Sequence, residues 1–126
     1  MKIACGIDII EIERIKNSIQ NFGKKFLKEI YTEFEIEYCN NKNKAMYQHY
    51  AARFAAKEAC FKAISNMLEN KYSITWQNIE IRNDENGKPK IYFMNIDFPQ
   101  ITSIDISISH CKEYAVANVM VLYKEE

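Results

Sequence analysis

The sequence predicts an α+β fold, an antiparallel sheet packed with one long and several short helices, and three observations point to it. Apolar residues recur every three or four positions through the first half, which includes an alanine-rich stretch over 45–67. They alternate near the end, where Ile104, Ile106 and Ile108 take every second position. Between these regions Asn86-Gly87 supplies the turn chemistry of a hairpin. At 126 residues and 48% hydrophobic composition the chain has the size and apolar content of a single domain over 1–126.

Residues 3–10 are mostly β-branched or small, and so brief an apolar run reads as a strand. Ile12, Ile15 and Ile19 then set an amphipathic helix over 11–20, which Gly23 ends or bends. Phe26, Leu27 and Ile30 mark a second short helix, and Thr32 with Glu35 is the capping-box signature of a third. A polar run over 40–44 precedes the longest helix, over 45–67, where Ala51, Ala52, Ala55, Ala56, Ala59 and Ala63 favour helix and permit close packing. Strands over 79–82 and 90–93 flank the turn at 83–89. The last pair, 104–109 and 114–123, forms an antiparallel sheet that the first strand is expected to join.

Seventeen Lys+Arg balance seventeen Asp+Glu, so no global field favours nucleic acid or an anionic membrane. A small RNA-binding domain would need a basic, aromatic-bearing strand surface that this neutral chain does not offer. The apolar stretches are too short to span a bilayer, and acids directly follow the first one where a leader would carry a cleavage site. Cys5, Cys39, Cys60 and Cys111 form no C-x-x-C pair, which argues against zinc and for reduced thiols in a cytoplasm.

Four places carry residues with chemistry. Asp8 is an acid inside an apolar strand, a costly position unless it faces water, is paired or binds a cation. Glu58 and Lys62 stand four apart on the long helix, in the order of an ordinary surface pair. Beside that row lies another with Arg53 and Lys57, and 42–62 holds five basic residues against one acid, a surface suited to a polyphosphate with a bound metal. Ser107-Ile108-Ser109-His110 ends a strand, without the acid or elbow of a serine hydrolase, and its hydroxyls and imidazole suit phosphate. Asn86-Gly87-Lys88-Pro89 is by itself a good turn.

Taken together, these segments resemble the holo-(acyl carrier protein) synthase family, the short branch of the 4'-phosphopantetheinyl transferases. The resemblance runs in order through Gly6-Ile7-Asp8-Ile9 with Arg14, Arg53-Phe54-Ala55-Ala56-Lys57-Glu58-Ala59 with Lys62-Ala63, Asn86-Gly87-Lys88-Pro89, and Ser107-Ile108-Ser109-His110 before Tyr114-Ala115-Val116-Ala117. It implies a 4'-phosphopantetheinyl transferase-like fold and transfer of 4'-phosphopantetheine from coenzyme A to a serine of apo acyl carrier protein. Adenosine 3',5'-bisphosphate leaves, and the holo carrier serves fatty acid biosynthesis. It further implies Mg2+ on Asp8 and Glu58, Glu58 as base directly or through a metal-bound water, and Lys62 as charge stabiliser. Arg53, Lys88, Pro89 and His110 become coenzyme A contacts.

Between 11 and 28 five basic residues face two acids, and this segment, Arg14 foremost, is the expected dock for an acidic carrier helix. Larger superfamily members resemble two copies of this unit with coenzyme A between the halves. One copy of Asp8, Glu58 and His110 therefore implies a homo-oligomer, a trimer, with active sites at subunit boundaries; Ile106, Ile108, Val116 and Val119 are candidates for that contact. In one respect the sequence departs from the family: Ile64-Ser65-Asn66-Met67 stands where many relatives carry a glycine-rich turn. The alternative that this departure favours is a coenzyme A or nucleotide-binding module that kept the fold and lost transfer.

Overall fold

A computed structural model describes residues 1–125. Its elements run β1 (Lys2–Glu11), α1 (Ile12–Phe22), α2 (Lys24–Ile30), α3 (Glu33–Asn40), α4 (Met46–Ala63), β2 (Ile79–Asn83), β3 (Pro89–Phe93), β4 (Ile101–His110) and β5 (Tyr114–Tyr123). Their order matches the sequence expectation, with two differences. The sheet is three-stranded, β1-β5-β4, and the β2-β3 hairpin is a separate two-stranded ribbon. The long helix stops at Ala63, and Ser65–Met67 is a turn of 3-10 helix. There Ser65 Oγ donates to the Lys62 carbonyl at 3.0 Å, a side-chain bond that competes with continuing the helix.

β1 pairs antiparallel with β5 along its whole length, from Lys2 opposite Tyr123 to Glu11 opposite Tyr114. Alternation then turns Ala4, Gly6, Asp8 and Ile10 to one face of the sheet. Their neighbours on that face, Ala117, Val119 and Val121 of β5 and Ile106 of β4, are buried against Ala55, Ala56, Ala59 and Ala63 of α4. Alanine offers little area to bury, but it lets the helix axis ride close to the strands. Larger burial comes from Ile64, Ile79 and Ile81, each fully enclosed and stabilising by about 1.5–3 kcal/mol.

A second cluster, including Ile12, Ile15, Ile30, Tyr31, Cys39 and Tyr50, packs α1 to α3 against the first half of α4. Entry into α1 is fixed by the Ile12 amide, which donates to the Glu113 carbonyl in the β4-β5 turn at 2.9 Å. Gly23, at φ 56, both closes α1 and opens α2, a left-handed position suited to glycine. Thr32 and Glu35 form the predicted capping box of α3. The other face of the sheet is bare: Ile3, Ile7, Ile9 and Met120 are all exposed.

Candidate functional site

The site begins with a missing side chain. A Cβ on Gly6 would lie 2.0 Å from the Ala59 carbonyl oxygen and 2.8 Å from the Ala63 amide nitrogen, so only glycine lets β1 touch α4 here. Two residues on, Asp8 emerges on the same face, opposite Ala117. Lys62 reaches it at 3.3 Å and also donates to the Ile7 carbonyl at 2.9 Å. Glu58 completes the corner one turn back along α4. Partial burial pushes its carboxyl above the ordinary range, the charge on Asp8 adds to that, and Lys62 opposes it.

Two carboxylates against one ammonium leave a corner short of positive charge. Among the described residues no three His, Cys, Asp or Glu side chains gather anywhere, so the donor set is this pair. That suits a hard dication such as Mg2+, which takes one or two carboxylates and completes its shell with water and phosphate oxygens. Structural zinc would need four ligands.

Arg53 belongs to a second group, which forms around Tyr38. The guanidinium, on a side chain 2% exposed, lies 4.2 Å from the Tyr38 ring centre, and Lys42 lies 4.4 Å from the same ring. Arg53 Nη2 donates to Asn83 Oδ1 at 2.7 Å, and its Nε has no partner. His49 meets Tyr38 edge-on at 5.5 Å; burial, then Arg53, Lys42 and His110, lower its pKa from 6.5 to about 4. His110 closes β4 and is exposed.

Asn83 also donates to the Gly87 carbonyl at 2.9 Å, tying Arg53 to the turn that carries Lys88 and Pro89. Asp84 shapes that turn by accepting from the Asn86 and Lys88 amides. Lys88 itself stands 3.4 Å from Asp105, both side chains exposed, a pair of little energetic consequence.

The predicted residues thus fall into two groups on opposite flanks of α4: Asp8, Glu58 and Lys62 toward β1, and Arg53, Lys88, Pro89 and His110 toward β2, β3 and the end of β4. The expectation that Glu58 stands within a field of cations is corrected. Arg53 lies about 140° around the helix from Glu58. Lys57 is fully buried, 2.6 Å from Glu35, and donates to the carbonyls of Ile30 and Trp76. Arg14 is exposed on α1, and Lys24, Lys25 and Lys28 are exposed on α2. Ile106 and Val119, read as possible contacts between subunits, are buried in the chain's own core.

Sequence reasoning missed the second task of Glu35. Beyond its capping bond to Thr32, it accepts from the Ile81 amide at 2.8 Å and neutralises Lys57 inside the protein. The signal was available: a lysine in the alanine-rich, inward row of α4 needs a buried partner. Also missed were Tyr38 and His49, which no motif contains.

A family described as the 4'-phosphopantetheinyl transferase superfamily matches residues 4–119. The chain is 46% identical over 118 residues to the holo-[acyl-carrier-protein] synthase of Chloroherpeton thalassium, covering 92% of this chain and 94% of that one. It is 40% identical over 126 residues to the corresponding protein of Ruminiclostridium cellulolyticum, covering 96% and 92%. Among solved structures, the Helicobacter pylori holo-[acyl-carrier-protein] synthase in complex with coenzyme A superposes with a TM-score of 0.80 at 32% identity, covering 94% and 99%. The Bacillus anthracis enzyme in complex with coenzyme A (3',5'-ADP) gives 0.77 at 36%, covering 94% of each chain.

Proposed function

Because the chain belongs to the 4'-phosphopantetheinyl transferase superfamily, we propose that Asp8, Glu58 and Lys62 form the reacting corner of its active site. The enzyme transfers 4'-phosphopantetheine from coenzyme A to a serine of apo acyl carrier protein, giving the holo carrier and adenosine 3',5'-bisphosphate. The observation that carries the assignment of the corner is the contact of β1 with α4 at Gly6, which brings together acids from distant segments.

In this reading Asp8 and Glu58 would hold Mg2+, which would supply positive charge against the pyrophosphate. Glu58 takes the proton of the carrier serine, directly or through a water. The serine oxygen then bonds to the pantetheine-linked phosphorus and the bond to the nucleotide phosphate breaks. Lys62, anchored by Asp8 and the Ile7 carbonyl, steadies the negative charge that accumulates. Arg53, Lys88, Pro89 and His110 contact the nucleotide end of coenzyme A, and Arg14 leads the basic face that receives the carrier.

The two flanks of α4 do not face each other within one chain, and the sheet leaves Ile3, Ile7, Ile9 and Met120 uncovered. Both features support a symmetric homo-oligomer, a trimer, in which one subunit's Asp8 flank meets another's Arg53 flank. Cytoplasmic residence belongs to the same reading, supported by four unpaired cysteines. No helix among the described residues is long and apolar enough to cross a membrane.

Incubation with coenzyme A, MgCl2 and apo carrier protein, followed by mass spectrometry, tests the function. The phosphopantetheine mass should appear on the carrier, and should fail to appear with Asp8→Ala or Glu58→Ala. Tight coenzyme A binding without transfer would return the reading to a binding module.

A further inference from the structure

We propose that Gln77 is a positioning residue for carrier binding, an amide clamp that holds the basic helix α2 in its binding shape before the carrier arrives. This rests on the reading of 11–28 as the carrier's dock and adds what keeps that dock in place.

The need for a clamp follows from α2 itself. Lys24–Ile30 is seven residues long, too short to be stable as a helix unless other parts of the chain hold it. Ile30 alone among them is buried, while Lys24, Lys25, Lys28 and Glu29 face water. An open groove of about 760 Å³ lies between α2 and α3, with Leu27 and Lys28 on one wall, Ile36 and Glu37 on the other, and Gln77 among its lining residues.

The last carbonyls of a helix have no partners within it. At this end three of them, counting the cap, are taken up by side chains from later in the chain. Gln77 Nε2, in the 3-10 turn Trp76–Asn78, donates to the Lys28 carbonyl at 2.7 Å and to the Tyr31 carbonyl at 2.6 Å. Both donors of its amide are thereby used. Lys57 donates to the Ile30 carbonyl at 2.8 Å and to the carbonyl of Trp76, the neighbour of Gln77, at 3.0 Å. Lys57 precedes Glu58 on α4, so the clamp refers the basic face of α2 to the helix that carries the proposed base.

The two donors differ in what their loss would do. Lys57 is enclosed with Glu35, and removing it strands a buried charge. Gln77 is exposed, so its loss leaves the core intact and frees α2 alone. A loosened α2 would have to be ordered when the carrier binds, and that cost falls on affinity, not on chemistry.

Gln77→Met keeps the length of the side chain and removes both donors. In hydrogen exchange on the free enzyme, the α2 amides should exchange about tenfold faster, with the rest of the fold unchanged and Tm within about 5 °C of wild type. The carrier's KM should rise about fivefold, by the same factor at low and high salt because no charge is lost, while kcat and the Kd for coenzyme A stay within about twofold. Lys25→Glu tests the dock separately: it should raise the carrier's KM at low salt without altering exchange in α2. Unchanged α2 exchange in Gln77→Met would overturn the clamp, as would a coenzyme A Kd that rises as much as the carrier's KM, or a carrier KM that stays put while Lys25→Glu raises it. Faster α2 exchange in Gln77→Met, with a carrier KM that neither variant moves, would strike the dock, and with it this role for Gln77, on separate grounds.

Discussion

Gly6→Ala is the smallest change that tests how the site is assembled. The added carbon would sit 2.0 Å from the Ala59 oxygen, 2.8 Å from the Ala63 nitrogen and 2.9 Å from Lys62 Cβ. Two of these atoms are backbone, so no rotamer change relieves the clash. Restoring an ordinary contact of 3.4 Å to the first requires β1 and α4 to part by about 1.4 Å. Overpacking of this kind costs about 1–3 kcal/mol, which in a domain of this size lowers Tm by roughly 5–15 °C. The same displacement would carry Lys62, now 3.3 Å from Asp8, out of hydrogen-bond reach. A misplacement near 1 Å can reduce rate about a hundredfold. Thermal unfolding and kcat/KM for carrier modification measure the two effects, with Cys5→Ala, an exposed neighbour, as control. Gly6 does not adopt a positive φ, so backbone strain offers no second explanation. A Gly6→Ala enzyme with wild-type Tm and kcat/KM would refute the close approach as the device that builds the corner.

Lys57→Met leaves Glu35 charged and buried and should cost about 3–5 kcal/mol in denaturant unfolding, whereas Lys62→Met, at an exposed pair, should cost under about 1 kcal/mol yet lose transfer. Ile7→Arg puts a charge on a side chain that is 59% exposed in the single chain; light scattering should show the proposed trimer for the wild type and monomers for the variant, with activity lost. Arg14→Glu should raise the carrier's KM at low salt, an effect that shrinks as salt is added, while kcat stays near wild type. His49 has a folded pKa of about 4, below its ordinary 6.5, so the unfolded chain takes up its proton first and stability falls as pH drops from about 6.5 to about 4. His49→Phe should flatten the decline of Tm across that window; an unchanged slope would remove His49 as its cause.

Elements that announce themselves locally were legible in the sequence. The Ile12, Ile15 and Ile19 stripe, the Thr32 and Glu35 box and the Ile104 to Ile108 alternation each encode their structure within a few residues, and the structure repeats them. Asp8 and Glu58 were legible as candidates because strand and helix motifs mark them. Their convergence was not, since it depends on how closely two distant backbones approach at Gly6. The fate of Lys57 illustrates the same limit. Helical spacing places it beside Glu58, but only the packing of α3 against α4 shows that it turns inward to Glu35. Likewise, an Asn-Gly pair predicts a turn but not whether the ribbon it closes joins the main sheet.

The pairing of β1 with β5 bears on how the enzyme comes into being. Asp8 is made more than a hundred residues before Ala117, its partner on the strand that seats it. Until β5 emerges, β1 has no strand partner among the described residues, and its isoleucines face water on what becomes the bare side of the sheet. Long-range pairing of this kind is closed late, because the loop entropy must be lost before the contact rewards it. A nascent chain can complete α1 to α4 and the β2-β3 ribbon and still hold no organised acid pair. The proposed corner is therefore complete only once β5 has paired, and a product that stops short of β5 would bear every motif up to His110 without it.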